Sequence, residues 1–163
     1  VEWKGIDFSM FWQGVAKRDL WLDGLMFWGI SGGEWQSTGL KEHLDYYRPE
    51  NTTSVFGPNT NAYFPKMYMS KDMNQKVQTR YLQNGAYARL KNIQLGYTFP
   101  TQIINKLHMQ KLRVYVSAEN VLTITSLPSG FDPETTYSSY SDGNSGKTYP
   151  LQTTISFGLH ATF

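Results

Sequence analysis

The chain has 163 residues, room for one domain, and no cysteine, so disulfides and thiolate metal sites are excluded. Its net charge of +2 is too close to balance to favour nucleic acid as a partner. Aromatic residues make up 15% of the chain and charged residues 17%, yet no stretch approaches the ~20 apolar residues that a membrane-spanning helix needs. Both a membrane β-barrel, in which half of each strand is polar, and a soluble carbohydrate-binding sandwich have this composition.

The first predicted element is a β-strand close to the start of the chain. Two sets of residues alternate there: Ile6, Phe8, Met10 and Trp12 in one, and Asp7, Ser9, Phe11 and Gln13 in the other. A period of two places the sets on opposite faces of a strand. The chain opens at Val1 within this region and shows no signal peptide, so we expect a fragment of a longer polypeptide.

A long connection follows, from about residue 15 to residue 84. Within it, residues 39–47 predict a short helix with Leu40, Leu44 and Tyr47 on one face. The connection also contains aromatic residues and an arginine that suit recognition of a sugar ring or a partner protein: Trp35, Tyr46, Tyr47, Arg48, Tyr63 and Phe64. We expect most of them to pack the loop against itself, and a minority to face a partner or substrate.

Three segments further along the chain repeat the alternation. In the first, Ile93, Leu95, Tyr97 and Phe99 alternate with Asn92, Gln94, Gly96 and Thr98. In the second, Leu112, Val114, Val116 and Ala118 alternate with Arg113, Tyr115, Ser117 and Glu119. At the end of the chain, Ile155, Phe157, Leu159, Ala161 and Phe163 alternate with Thr154, Ser156, Gly158, His160 and Thr162. The polar sets are costly to bury without partners, and a water-filled interior removes that cost.

The connections between these strands are long, short and long in turn. Outer-membrane barrels alternate short periplasmic turns with long external loops, whereas most connections in compact domains are short. The order predicts antiparallel strands that cross a membrane, with residues 100–111 on the periplasmic side and residues 15–84 and 125–149 outside. In the short connection we expect one helical turn at the inner membrane surface, formed by Ile103, Ile104 and Leu107.

Several segments, in this order and spacing, resemble the region near the end of SusC/RagA-type TonB-linked outer-membrane transporters. They are residues 3–14, 80–100, 112–123, 130–134, 149–151 and 157–163. Each motif is weak by itself, but their order and spacing are specific. The resemblance spans both ends of the chain.

The resemblance implies that residues 1–163 form the C-terminal part of a transmembrane β-barrel, about four antiparallel strands of a plugged barrel of about 22 strands. It also implies active import of oligosaccharides, or of peptides, through the bacterial outer membrane with energy from the TonB complex. A SusD-like surface lipoprotein is the lid that the family implies. The chain departs from the family pattern because it contains neither the plug, nor the TonB-contacting box, nor most of the strands. We expect the rest of the transporter to supply them and to pair with the outer strands of this segment.

Within such a barrel, the alternating sets predict which side chains face the lumen and which face lipid. We expect the following lumen-facing residues: Asp7, Ser9, Gln94, Arg113, Ser117, Glu119, Ser156 and His160. We expect the following lipid-facing residues: Ile6, Phe8, Met10, Trp12, Ile93, Leu95, Tyr97, Val114, Val116, Phe157 and Leu159. Phe163, a terminal aromatic at the periplasmic interface, is expected to act as an assembly signal.

Arg89 and Lys91 are predicted on the apolar face near the external end, where they either pair with anionic lipid head groups or project into solvent. The three histidines, His43, His108 and His160, lack metal-ligand spacing. No nucleophile elbow, phosphate loop or zinc-protease motif is present, so we expect no catalysis.

One external loop carries oxygen ligands suited to calcium: Asp132, Glu134, Asp142 and Asn144. Their spacing differs from that of an EF-hand, and Asp-Pro and Asp-Gly-Asn sequences also favour turns. We therefore expect no cofactor, with calcium as the one alternative.

Two other functions stay open at this point. A soluble, secreted carbohydrate-binding sandwich would bury one face of each strand in a dry core and expose the other to water. A passive porin would need neither plug nor lid, and the sequence upstream of this segment would distinguish it.

Overall fold

The computed structural model describes residues 1–29, 39–68, 72–136 and 148–163. The chain divides into two compact units. The first unit contains a sheet of long strands, here called the main sheet, and consists of Val1–Arg18, Gly85–Ser126 and Leu151–Phe163. The second has a hydrophobic core of its own, is here called the loop unit, and consists of Asp19–Asn84 and Leu127–Pro150.

Seven strands are present in the described residues. In chain order they are β1 Glu2–Trp3, β2 Ile6–Val15, β3 Asp19–Leu20, β4 Gln83–Asn84, β5 Tyr87–Thr98, β6 Lys111–Thr125 and β7 Thr154–Thr162. The main sheet is antiparallel, in the order β1-β2-β5-β6-β7, while β3 pairs only with β4 in the loop unit. No described strand joins β7 to β1, so the main sheet is open at both edges.

The first hairpin of the main sheet turns within two residues. Lys4 and Gly5 have φ angles of +48° and +86°. Left-handed backbone at both positions matches the twist of the flanking strands, as in a type I′ turn. Val1 extends the pairing of β1, because its amino group donates to the Phe8 carbonyl at 2.8 Å and its carbonyl accepts from the Phe8 N–H at 2.9 Å.

The short connection between β5 and β6 contains the expected helical turn. Helix α2, Thr101–Ile104, leads into a 3₁₀ turn at Asn105–Leu107 that ends at His108, whose φ is +56°. Ile104 is buried, whereas Ile103 is half exposed. No helix among the described residues is both long and apolar enough to cross a membrane.

The register of the main sheet sorts its side chains into two faces. On the apolar face, typical rows are Ile6–Tyr97–Val114–Leu159 and Phe8–Leu95–Val116–Phe157. On the polar face, a typical row is Ser9–Gln94–Ser117–Ser156. Because neighbours across an antiparallel sheet point the same way, the segregation extends over all four long strands.

A bulge in β5 changes the face predicted for Arg89. The pairing of β5 with β2 skips Lys91, which is the extra residue of the bulge. Arg89 therefore pairs with Gln13 on the polar face, where it is 3% exposed and donates from Nε to Thr123 Oγ1 at 2.8 Å. The prediction that Arg89 and Lys91 share the apolar face is wrong, because it continued a strict period of two through a bulge.

The loop unit is organised around aromatic side chains. Its short helical segments are helix α1, Leu25–Trp28, and three 3₁₀ turns at Lys41–Leu44, Asp72–Gln75 and Thr79–Tyr81. Its buried core consists of Leu20, Leu22, Phe27, Trp28, Phe64, Tyr81, Leu127 and Phe131. Trp28 meets both Phe27 and Tyr81 edge-to-face, with ring centroids 5.1 Å and 5.0 Å apart. The long connection thus packs against itself, as expected for most of its aromatic residues.

The helix predicted over residues 39–47 is wrong in extent and in its buried face. Only Lys41–Leu44 is helical, as a single 3₁₀ turn, and Leu44 and Tyr47 are 44% and 41% exposed. The buried member is His43, at 5% exposure. The helical spacing of three apolar residues does not determine the structure here. Side-chain hydrogen bonds of His43 do, and the spacing of apolar residues gives no indication of them.

Candidate functional site

One end of the polar face is held by an ion pair that crosses a whole strand. Arg113 of β6 donates from Nε to Asp7 Oδ1 of β2 at 2.9 Å, and its Nη2 donates to Asp7 Oδ2. Gly96 of β5 lies between them, and a Cβ there would stand 2.5 Å from both Arg113 Nη2 and Asp7 Oδ1. Glycine at this position leaves the room that a bidentate arginine–carboxylate pair needs. His160 lies beside Arg113 in the register of β7.

Tyr115 continues this group towards the edge of the sheet. It lies over Gly158 of β7, where a Cβ would come within 2.1 Å of Tyr115 Cζ. The guanidinium of Arg113 is 4.8 Å from the centre of the Tyr115 ring, within the range of a cation–π contact. Asp7, Arg113 and Tyr115 are here called the clasp. The sequence signal for the clasp is the pair of strand glycines, Gly96 and Gly158, because a glycine inside a strand often marks a close approach of other groups. The alternation of polar and apolar residues does not reveal it.

The other predicted lumen residues lie along the same face, beyond the clasp. Ser9, Gln94, Ser117 and Ser156 form one row across four strands. The next row contains Phe11, Asn92 and Glu119. Phe11 is an apolar exception on this face and is 59% exposed.

The apolar face is uncovered along much of its length. Leu95 is 49% exposed, Ile155 63%, Leu159 67% and Phe157 84%. A continuous apolar surface of this kind marks contact with a partner or a membrane. At the end of the chain, Phe163 is also largely exposed.

In the loop unit, Arg48 is a structural residue. It is 8% exposed, and it donates from Nε to the Gly57 carbonyl at 2.6 Å and from Nη1 to the Leu44 carbonyl at 2.7 Å. Its guanidinium lies 4.6 Å from the Tyr46 ring centre. Both hydrogen bonds hold the loop unit together, so Arg48 presents little to a ligand.

The aromatic candidates of the loop unit divide between packing and exposure. Phe64 is buried, and Tyr63 packs edge-to-face on it with ring centroids 4.9 Å apart. Tyr81 donates to the Tyr63 carbonyl at 3.2 Å, and burial raises the pKa of the Tyr81 phenol above its ordinary value. Tyr47 remains exposed. Trp35 lies outside the described residues.

His43 holds two parts of the loop unit together, a role that the sequence did not indicate. Its Nδ1 accepts the Leu40 N–H at 2.9 Å, so the ring proton is on Nε2, which lies 3.1 Å from the Phe27 carbonyl. The ring also meets Phe64 edge-to-face at 5.5 Å. Gly29, with φ of +59°, passes so close that a Cβ would lie 2.7 Å from His43 Nδ1.

The calcium alternative stays a prediction. Asp132 is 7% exposed, and its Oδ1 accepts the Glu134 N–H at 2.8 Å. This contact stabilises a turn, which is the role that an Asp-Pro sequence favours in place of calcium binding. Asp142 and Asn144 lie outside the described residues. Within the described ranges, no three His, Cys, Asp or Glu residues gather as a metal site would require.

No family model matches the chain, but individual proteins do. The TonB-dependent receptor P3 of Formosa agariphila is 27% identical over 170 residues, which cover 100% of this chain and 15% of the receptor. The TonB-dependent receptor P26 of the same organism is 24% identical over 169 residues, covering 100% of this chain and 16% of the receptor. The chain thus spans about 15% of the length of the curated relatives it matches.

A solved structure with the same fold is that of the RagAB peptide transporter, with 21% identity and a TM-score of 0.65. The match covers 99% of this chain and 16% of the matched chain. The relatives named here are receptors and a transporter, not enzymes. The resemblance to TonB-linked transporters is confirmed: the chain is similar along its whole length to part of a TonB-dependent receptor, and its fold is that of a segment of a RagAB transporter chain.

Proposed function

We propose that this chain forms part of the wall of an outer-membrane β-barrel in the bacterial cell. The whole protein is then an active importer of oligosaccharides or peptides that works with the TonB complex and a SusD-like lipoprotein lid. Similarity to two TonB-dependent receptors and to the RagAB peptide importer supports this proposal. The remaining strands and the plug come from parts of the protein outside this segment.

The observation that carries the proposal is the separation of two faces over strands of suitable length. The four long strands have 10, 12, 15 and 9 residues. A strand that crosses a bilayer at a tilt needs ~9–11 residues. Their apolar face would meet lipid, and the polar face, from Asp7 to His160, would meet a wet lumen.

The exposure of the apolar face weighs against the sandwich alternative. A sandwich would cover this face with a second sheet, yet Phe157 and Leu159 are largely exposed. Contact with lipid would cover this apolar face without a second layer of protein. The open edges of the main sheet also suit a segment that continues into other strands, because unpaired edges are not tolerated in lipid.

The loop unit and the end of the chain have separate roles in this proposal. The loop unit is an external, self-packed element, and Tyr47 is its exposed aromatic candidate for contact with the lid or with substrate. Phe163 serves assembly, as a terminal aromatic at the periplasmic interface.

Spin labels on neighbouring residues test the two faces directly. This segment has no native cysteine, so single cysteines are placed by Val116→Cys, Ser117→Cys, Ser156→Cys and Phe157→Cys in the full-length protein. Each adjacent pair contrasts opposite faces of one strand. We expect labels at 116 and 157 to be relaxed mainly by oxygen, which concentrates in lipid, and labels at 117 and 156 mainly by a water-soluble nickel complex.

The accessibility pattern separates the alternatives. Labels at 116 and 157 that neither reagent reaches would place these residues in a dry protein core and favour a sandwich. Labels that the nickel complex relaxes equally on both faces would remove the membrane proposal altogether.

A further inference from the structure

The apolar face of the main sheet has a furrow along β6, because the side chains of this strand are smaller than those beside them. On this face β6 presents two valines and an alanine, and in each row the neighbours on β5 and β7 are larger: Tyr97–Val114–Leu159, Leu95–Val116–Phe157 and Ile93–Ala118–Ile155. Side chains of one row point the same way, so small residues on the central strand leave a depression between two ridges. Four residue steps of ~3.4 Å make this furrow ~14 Å long.

The part of the furrow nearest the turn between β1 and β2 is an open groove of about 480 Å³. The following apolar side chains line it: Ile6, Leu95, Tyr97, Val114, Val116 and Phe157. Phe157 on one ridge is 84% exposed, whereas Val114 in the floor is 37% exposed. A straight groove that runs along one strand and is lined almost entirely by hydrocarbon fits an unbranched hydrocarbon chain.

The cation at this end of the groove is Lys4, in the turn between β1 and β2. Trp3 pairs with Ile6, so its side chain lies on the apolar face. Lys4 Nζ is 4.9 Å from the centre of the Trp3 ring, which places the ammonium group on that face too. Glu2 pairs with Asp7 on the opposite, polar face. Lys4 has no carboxylate partner among the described residues, so the apolar face carries a positive charge at this end.

Aromatic rings indicate the depth of this end in a membrane. Tyr97 and Phe99 meet edge-to-face with ring centroids 5.0 Å apart. Trp3, which is 65% exposed, lies on the same face, one strand beyond Ile6. Tryptophan and tyrosine concentrate where the hydrocarbon of a membrane meets its head groups. Lys4 is therefore at the level of lipid phosphates if the face meets a bilayer.

We propose that one phospholipid occupies this groove as a fixed ligand, with an acyl chain along the furrow and its phosphate bound to Lys4. The ammonium group donates hydrogen bonds to the phosphate oxygens. Ile6 and Val114 are two strands apart, ~10 Å, and the four-carbon stem of lysine and the glycerol unit of a lipid together bridge that distance. The inference rests on the proposed function and adds to it a bound ligand on the side of the wall that the imported cargo does not touch.

The combination of furrow and cation favours a phospholipid over other occupants. A protein surface would have to fill the furrow between the ridges at Phe157 and Leu159 and also supply an anion for Lys4. A free phosphate would use the cation alone, and an uncharged lipid would use the furrow alone. A phospholipid carries a long hydrocarbon chain and an anion in one molecule, which is the combination that this face accommodates.

Photolabelling of the full-length protein in vesicles tests the inference at the groove itself. The probe is phosphatidylglycerol with a photoactivatable diazirine in one acyl chain, in vesicles of phosphatidylcholine. We expect labelling of residues 112–118 to saturate and to be competed by unlabelled phosphatidylglycerol, but not by dioleoylglycerol or glycerol 3-phosphate. Lys4→Gln should raise the half-saturating fraction of probe about fivefold, and Lys4→Arg should restore it. Lys111→Gln is the matched control, because Lys111 lies at the same end on the polar face.

A second set of variants tests the furrow. Val116→Phe fills its floor while the face stays apolar, and it should weaken labelling about tenfold, the effect of about two methylene groups losing apolar contact. Ala118→Leu fills the furrow further along and takes its place if Val116→Phe does not fold. Leu159→Phe adds bulk to a ridge instead and should leave labelling unchanged.

Each contrary result overturns the inference in a recognisable way. Labelling that does not saturate and is equal in all variants would show that this face meets only fluid lipid. Saturable labelling that Lys4→Gln leaves unchanged would remove the phosphate site, and competition by glycerol 3-phosphate would assign Lys4 to free phosphate. Absence of labelling at residues 112–118, with this region crosslinked to a second protein instead, would assign the furrow to a protein partner. The spin labels report the two faces independently, so the inference can fail while the barrel proposal stands.

Discussion

Gly158 gives the sharpest quantitative prediction for the polar face. Replacement by alanine would put a Cβ 2.1 Å from Tyr115 Cζ and 2.4 Å from its Cε1 and Oη. Because carbon atoms in contact prefer ~3.5–4.0 Å, the ring must retreat by more than ~1 Å. Overpacking of this kind typically costs about 1–3 kcal/mol. We therefore expect Gly158→Ala to lower the stability of the folded transporter and to disturb the clasp.

A double-mutant cycle isolates the cause. Tyr115→Ala removes the ring that the new methyl group meets, so Gly158→Ala should cost much less in that background. The measurement is the temperature at which half of the full-length protein loses its fast-migrating folded form on an SDS gel. We expect the midpoint to fall in Gly158→Ala and to fall no further when Gly158→Ala is added to Tyr115→Ala.

Gly39 provides the matched control, because a Cβ there meets nothing within 4 Å. Gly39→Ala should leave the midpoint unchanged. Equal losses for Gly158→Ala with and without the Tyr115 ring would refute the close-approach argument, since the cost would then lie in the backbone of β7.

Three further predictions concern assembly and the loop unit. Deletion of Phe163 should reduce the outer-membrane level of the full-length protein while Phe163→Trp retains it, and a wild-type level after deletion would contradict its role in assembly. His43→Ala should lower the local opening free energy around residues 27–29 and 40–43 by about 1–3 kcal/mol in hydrogen exchange, because it removes the acceptor for the Leu40 N–H; exposed Leu44→Ala should not. Arg48→Lys keeps the charge but loses the fork that reaches the Gly57 and Leu44 carbonyls, so external protease should cleave residues 50–58 faster; equal cleavage would show that charge alone suffices.

The strands and their two faces were predictable because one physical rule decides both. Ile155, Phe157 and Leu159 alternate with polar residues, and β7 keeps this alternation through an unbroken register with β6. The same rule predicted Ser117 and Ser156 on one face, and the structure pairs them across β6 and β7. In regular strands, local pattern and tertiary pairing agree.

The loop unit was less predictable because its structure depends on contacts distant in sequence. His43 is buried by its bond to Phe27, sixteen residues earlier in the chain. Arg48 is held by the carbonyl of Gly57, nine residues away. Neither contact produces a periodic pattern in the sequence. The spacing of apolar residues therefore suggested a helix around His43, and residue type suggested a recognition role for Arg48.

Lys91 shows how a single residue limits the alternation rule, and it allows a direct test. Lys91 is an extra residue in β5 relative to β2, so its deletion should leave Leu90 on the apolar face and Arg89 on the polar face. Deletion of Ser156, in the regular part of β7, should instead turn one side of that strand over. We therefore expect the Lys91 deletion to retain most of the outer-membrane level and the Ser156 deletion to lose it. Equal loss in both would mean that the bulge itself, rather than the faces that it preserves, is required for assembly.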